Sequence, residues 1–114
     1  MRRGEVWLLN LDPTVGAEIR KTRPAVIVND DAIGLLPLKV IVPITDWKGH
    51  YEIAPWMVKL DADSQNGLSK PSAADCFQVR SVAQERFVQR IGSLSEHHLR
   101  QIADALAVVL KIRA

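Results

Sequence analysis

A single cysteine, Cys76, stands among the 114 residues, so the chain cannot form an internal disulfide. Three histidines, His50, His97 and His98, do not complete a ligand set of the spacing that a structural zinc requires. No metal and no cofactor is therefore expected. No apolar run approaches the ~18 residues of a membrane span, and Arg2 and Arg3 are not followed by the apolar stretch of roughly 7 to 15 residues that marks an export signal. A cytoplasmic protein without membrane association is expected. A dominant charge is missing too. Fifteen basic against 13 acidic residues leave +2, which excludes the broad positive field of a duplex DNA binder and requires any nucleic-acid site to be local. Familiar catalytic signatures are absent: there is no Gly-x-Ser-x-Gly, Walker loop, Gly-x-Gly-x-x-Gly or His-Glu-x-x-His. The carboxylate pairs Asp30-Asp31 and Asp61-x-Asp63 lie in turn contexts, where Asp is a favoured residue.

What remains is ordinary globular composition, 47% hydrophobic and 25% charged, in one domain spanning residues 1–114. A chain of this size buries roughly two-thirds of its unfolded surface, so it needs no staple. Strands are expected over Glu5 to Leu11, ended by Asp12-Pro13-Thr14-Val15-Gly16, and over Pro24 to Asn29, which is apolar on both faces and so central. Leu38 to Ile44 is a third. Its Pro43 lacks a backbone donor and predicts a strand end, edge or bulge, with Thr45 at the boundary of a long loop. Trp56 to Asp61, Ala73 to Arg80 and Phe87 to Ile91 read as further strands, and Asn66-Gly67 favours a tight reversal. Leu99, Ile102, Ala103, Leu106, Val109 and Leu110 recur at helical spacing, with Ser95 or Ser93 as N-cap and Lys111 and Arg113 at the far end. The sum is an α+β domain, mostly antiparallel β, with a C-terminal helix over the sheet and a partly closed barrel as one arrangement.

The chemistry-bearing candidates are local. Pro24 biases Arg23 toward extended backbone and presents its side chain at the start of a strand. A guanidinium is a rigid fork of five donors that matches phosphate oxygens, although an arginine read alone is a surface or salt-bridged residue. The basic cluster of Arg2, Arg3, Arg20, Lys21 and Arg23 is opposed only by Glu5, Asp12 and Glu18. The loop of residues 46–55 carries Trp47, Lys48, His50 and Tyr51 among turn formers. Long loops of that content are more often functional than filler. Cys76, between Ala74 and Phe77, reads as a buried small hydrophobe, and His97 and His98 as exposed helix residues.

Five stretches occur together in a telling order: Arg3-Gly4-Glu5-Val6-Trp7, Asp12-Pro13-Thr14-Val15-Gly16-Ala17-Glu18, Lys21-Thr22-Arg23-Pro24-Ala25-Val26, Val42-Pro43-Ile44-Thr45 and Gln78-Val79-Arg80-Ser81. With the closing Arg90-Ile91-Gly92-Ser93-Leu94-Ser95 before a helix, the chain resembles the MazF/PemK family of toxin endoribonucleases over nearly its whole length. The resemblance implies a small SH3-like barrel and a homodimer belonging to a type II toxin-antitoxin pair. It implies metal-independent, sequence-specific cleavage of single-stranded RNA, with the ribose 2′-hydroxyl attacking the adjacent phosphate to leave a 2′,3′-cyclic phosphate. Carried over by motif position, Arg23 and Thr45 are the catalytic pair. Arg23 would stabilise the charge of the phosphorane and Thr45 would donate to a nonbridging oxygen.

For RNA binding the resemblance points to Glu18, Arg20, Lys21, Trp47, Lys48, Tyr51 and Gln78. Several of these keep a plainer reading. Glu18 orients the guanidinium, accepts from a base edge, or is a solvated loop charge. Trp47 or Tyr51 stacks an unpaired base or packs the loop. Gln78 lines the RNA groove or is a satisfied sheet residue. His50 has an alternative as a base near Thr45, a role the family mechanism does not call on. This chain has Ile19 where the family often has Gln, and Arg20 and Lys21 follow where Gly is frequent, which shifts that loop from base recognition toward phosphate attraction. The implied protein partner is a MazE-like antitoxin with an acidic, disordered tail that orders on binding. Two rivals share the fold: a noncatalytic CcdB-like gyrase inhibitor, which lacks the Arg-Pro and Thr pair, and an RNA-binding module that has lost cleavage.

Overall fold

The computed structural model describes residues 1–33 and 36–112. Arg113, expected near the helix end, lies outside the described residues. Among the described residues seven strands form one mixed-length antiparallel sheet: β1 (Glu5–Asn10), β2 (Thr22–Ile27), β3 (Leu38–Asp46), β4 (Met57–Leu60), β5 (Ser72–Asp75), β6 (Arg80–Ala83) and β7 (Phe87–Ser93). Their order is β4-β5-β3-β2-β1-β7, with β6 paired to β3. Among the described residues one α-helix, α1 (Glu96–Leu110), follows. Among the described residues no helix is long and apolar enough to cross a membrane.

Strand β2 lies between β1 and β3, and its uninterrupted Ala25-Val26-Ile27 explains why both of its faces are buried. Side chains alternate across a strand. Val26 therefore joins Val6, Val42 and Ile44 in the larger core, while Ala25 and Ile27 join Leu9, Leu11, Ile41 and Val82 in a second, smaller one. The larger core is covered by α1, which inserts Leu99, Ile102 and Ala105. Ala103 and Leu110, expected to face inward, are exposed. The second core is covered by the connection from β1 to β2, whose Ile19 packs on it with Trp7 and Phe87. Ile19, unusual against the family pattern, thus anchors that loop to the sheet.

Three elements differ from expectation. Pro43 does not end its strand: β3 runs on to Asp46, taking Thr45 into the strand. Its partners change there, from β6 and β2 through residues 38–43 to β5 at Ile44–Asp46. The missing donor of Pro43 falls where one ladder gives way to the next. The segment Ala73 to Arg80 is two strands, because Cys76–Gln78 forms a 3₁₀ turn whose start is capped by Asp75, its carboxylate accepting from the Phe77 N–H at 3.1 Å. Asn66-Gly67 is not a two-residue hairpin, since residues 61–71 separate β4 from β5. Asn66 is instead only 1% exposed: its Nδ2 donates to the Asp61 carbonyl at 2.8 Å, and its Oδ1 accepts from the N–H groups of Asp63 and Leu68. The helix start follows one of the two expected caps, with Ser95 Oγ accepting from the His98 N–H.

The β4–β5 connection also joins the two ends of the sheet. Strands β4 and β7 are the terminal strands, and the Ser93 N–H donates to the Gln65 carbonyl at 2.9 Å, bringing the connection onto β7. Such an approach needs glycine on both sides. Gly67 has φ +71, and a Cβ there would meet the Ile91 carbonyl, while a Cβ on Gly92 would meet the backbone of Gln65 and Asn66. Because rigid backbone is the obstacle, Gly92→Ala is expected to destabilise the fold by about 2 kcal/mol. Chemical denaturation measures this, and an unchanged midpoint would show that the contact is not needed.

Candidate functional site

The site is set by register. Ala25 pairs with Pro43, Val26 with Val42 and Ile27 with Ile41. Past the end of that ladder, Arg23 lies two residues before Ala25 and Thr45 two residues after Pro43, at the same end of the two strands. Alternation turns both toward the face that carries Ala25 and Pro43. On its other side Arg23 pairs with Leu9 of β1, and Thr45 with Ala73 of β5, so both stand in strands and not on free loops. Arg23 and Thr45 border one cleft of about 290 Å³ with Thr22, Asp46, Ser69 and Lys70.

The electrostatics of this cleft favour an anion. Arg23 is exposed, and among the described residues no carboxylate pairs with its guanidinium. Lys70 pairs with Asp46 at 3.1 Å, but both are well exposed, so that pair is solvated and weak. Counting Arg23 and Lys70 against Asp46, the cleft carries one uncompensated positive charge. Lys70 was not singled out by the sequence, because the β4–β5 connection has no periodic pattern and shows no motif.

A second cleft, about 490 Å³, opens on the face to which Pro43 points. The β1–β2 loop at Ala17, Glu18 and Ile19 faces Phe77 and Gln78 across it. Gln78 holds this loop. Its Oε1 accepts from the Ile19 N–H at 2.6 Å, while its Nε2 donates to the Ala17 carbonyl at 3.2 Å and to Asp75 Oδ2 at 3.3 Å. Glu18, between the two clamped residues, accepts from the Val15 N–H at 2.6 Å within its own loop. Burial pushes the Asp75 carboxyl above the usual carboxylate range, with the bonds from Phe77 and Gln78 opposing that push. Burial, aided by the neighbouring Asp75 charge, pushes the Cys76 thiol up to about 12, as suits the buried hydrophobe its sequence position suggests. Arg20 and Lys21 are exposed at the end of the same loop, and Lys21 adopts φ +70.

The loop after Thr45 forms a third group. Trp47 is half-buried, its backbone N–H donating to the Pro71 carbonyl. Its ring meets Tyr51 edge-on at 5.9 Å and has the Lys59 ammonium 5.2 Å from its centroid. Lys48 is exposed. His50 meets Tyr51 edge-on at 4.7 Å and lines a separate apolar hollow with Ile53 and Trp56, apart from Arg23 and Thr45. The structure therefore joins Arg23 with Thr45, Glu18 with Gln78, and Trp47 with Tyr51, and leaves His50 outside the cleft. It adds Lys70, Phe77 and Arg80 to the residues the sequence suggested.

The chain is similar in sequence and fold to known proteins. The family described as PemK-like, MazF-like toxin of type II toxin-antitoxin system matches residues 2–110. The endoribonuclease MazF9 of Mycobacterium tuberculosis is 35% identical over 118 residues, covering 98% of each chain. Among solved structures, MazF from Deinococcus radiodurans superposes with a TM-score of 0.83 at 24% identity, covering 98% of this chain and 97% of that one. An endoribonuclease from a mycobacterial species, solved in complex with its cognate antitoxin, gives 0.78 at 18% identity over 100% and 98%. These two superpositions bear on the fold alone.

Proposed function

The chain belongs to the PemK-like, MazF-like toxins of type II toxin-antitoxin systems, and from that premise we propose that it is an endoribonuclease that cuts single-stranded RNA in the cleft between Arg23 and Thr45. One observation carries the reading: strands β2 and β3 bring the Arg23 guanidinium, which among the described residues pairs with no carboxylate, and the Thr45 hydroxyl to the rim of one positively charged cleft.

The scissile phosphate enters this cleft. The 2′-oxygen of the preceding ribose forms a bond to phosphorus, the bond to the 5′-oxygen breaks, and the products are a 2′,3′-cyclic phosphate and a 5′-hydroxyl. The proton lost from the 2′-hydroxyl goes to solvent, and the leaving 5′-oxygen takes one up. An arginine stays protonated near pH 7 and is a poor proton shuttle, so Arg23 acts through charge. Its fork meets the nonbridging oxygens as negative charge builds on the phosphorane, and the Thr45 hydroxyl donates to one of them. The strands hold both groups before substrate arrives, so little reorganisation opposes the step.

Around the cleft, Arg20, Lys21 and Lys48 attract neighbouring phosphates, Trp47 and Tyr51 contact bases, and Gln78 fixes the loop that carries Glu18. The protein works in the cytoplasm as a homodimer, for which exposed Val108, Leu110 and Ile112 supply apolar surface. The antitoxin's acidic tail covers the same positive cleft, which links inhibition to exclusion of RNA. The test is incubation of purified protein with single-stranded RNA in EDTA. Discrete fragments with 5′-hydroxyl ends are expected. Intact RNA together with inhibited gyrase would favour the rival poison, and RNA bound but uncut would favour a binding module.

A further inference from the structure

Resting on the endoribonuclease reading, we propose that Phe77 is the stacking platform of a base-binding subsite, with the β1–β2 loop as its opposite wall. Phe77 is 67% exposed, a large apolar side chain left in solvent where it lines the cleft that Glu18 and Gln78 border. The fold presents it deliberately. Asp75 caps the 76–78 turn and breaks the strand there, Cys76 turns into the core at 0% exposed, and Phe77 is thereby turned outward. Its partner inside the chain is Trp56, met edge-on at 6.1 Å, which steadies the ring without enclosing it.

Across the cleft, Gln78 spends its amide on Ala17 and Ile19 and so fixes the far wall, with Glu18 between those two residues. A flat group can enter between that wall and the ring. The polar groups there are the Glu18 carboxylate and the Arg80 guanidinium, whose Nη1 is 3.4 Å from the Leu11 carbonyl. An aromatic face flanked by one acceptor and one donor suits a nucleobase, which offers a π-face and a polar edge. A protein tail is the less suited occupant, since its backbone would need ladder partners that a satisfied Gln78 does not supply. Position supports RNA as well. Pro43 lines this cleft and Thr45 borders the catalytic one, two residues along the same strand and on the same face. A strand of RNA held at Arg23 and Thr45 therefore reaches Phe77 with a neighbouring nucleotide.

The test uses the full chain and an RNA oligonucleotide spanning a cleavage site mapped with the unmodified protein, made uncleavable by 2′-deoxyribose at the scissile nucleotide. Phe77→Ala is expected to raise Kd about 5- to 100-fold, and Phe77→Trp to leave it within about threefold. In cleavage of the all-ribose RNA, KM rises in Phe77→Ala while kcat at saturation is kept. Abasic nucleotides introduced one position at a time identify the partner: one position should weaken binding to the native protein and leave Phe77→Ala unaffected. A Phe77→Ala protein that binds RNA normally, while native protein cleaves it, overturns the subsite and leaves the nuclease standing. Loss of binding only to an acidic antitoxin peptide would overturn it in favour of a protein contact. Failure of the native protein to bind RNA would sink the nuclease reading itself. Matching thermal melts exclude misfolding as the cause.

Discussion

Arg23→Ala lowers the single-turnover rate of RNA cleavage by about 1,000-fold, the scale expected when a preorganised charged donor is removed from a phosphoryl-transfer site. The fold survives, because Arg23 is exposed and among the described residues pairs with no carboxylate. Rate and thermal midpoint should therefore separate. Arg23→Lys keeps the charge and loses the fork, and falls between the native protein and the alanine variant. A rate within tenfold of native for Arg23→Ala would remove the residue from the chemistry and leave it a surface charge.

Thr45→Val reduces the same rate by about 100-fold, the lower end of the cost of losing one donor to a developing oxyanion. Valine keeps the branched shape that suits a strand, so register and half-burial are preserved. The loss belongs to kcat with little change in KM, since the hydroxyl acts on charge that appears only in the transition state. If KM alone rises, Thr45 binds ground-state phosphate and the division of labour given above is wrong. Because both groups act on one phosphate, the double variant should lose less than the product of the two factors.

Much of this was legible in the sequence for reasons that can be named. Uninterrupted apolar runs such as Ala25-Val26-Ile27 and helical spacing from Leu99 onward report burial directly. Arg23 was legible through Pro24, and its place in the family pattern through the ordered motifs. What failed to show was long-range. Pro43 looks like a terminator because a missing donor is visible locally, whereas the change of partners from β6 to β5 along one edge of β3, which leaves Pro43 between the two ladders, is not. Asn66-Gly67 carries a hairpin signal, yet burial of the Asn66 amide as an internal brace overrides it. Gln78 read as a groove residue or a satisfied one, and its bonds to Ala17 and Ile19, about sixty positions away, make it the holder of a loop. Phe77 read only as a position within a strand over Ala73 to Arg80, and the 76–78 turn that faces it outward did not show. In each case a backbone or side chain distant in sequence decided between local alternatives.

The most direct test of the central claim changes the substrate and leaves the protein alone. A single-stranded RNA with one mapped cleavage site is prepared with 2′-deoxyribose solely at the nucleotide preceding the scissile phosphate, and native protein is added in EDTA. The account predicts that the all-ribose strand is cut to a 2′,3′-cyclic phosphate and a 5′-hydroxyl, while the deoxy-substituted strand binds equally well and stays intact. Cleavage of the deoxy-substituted strand at that phosphate would contradict it, because the attacking oxygen would then not be the neighbouring ribose.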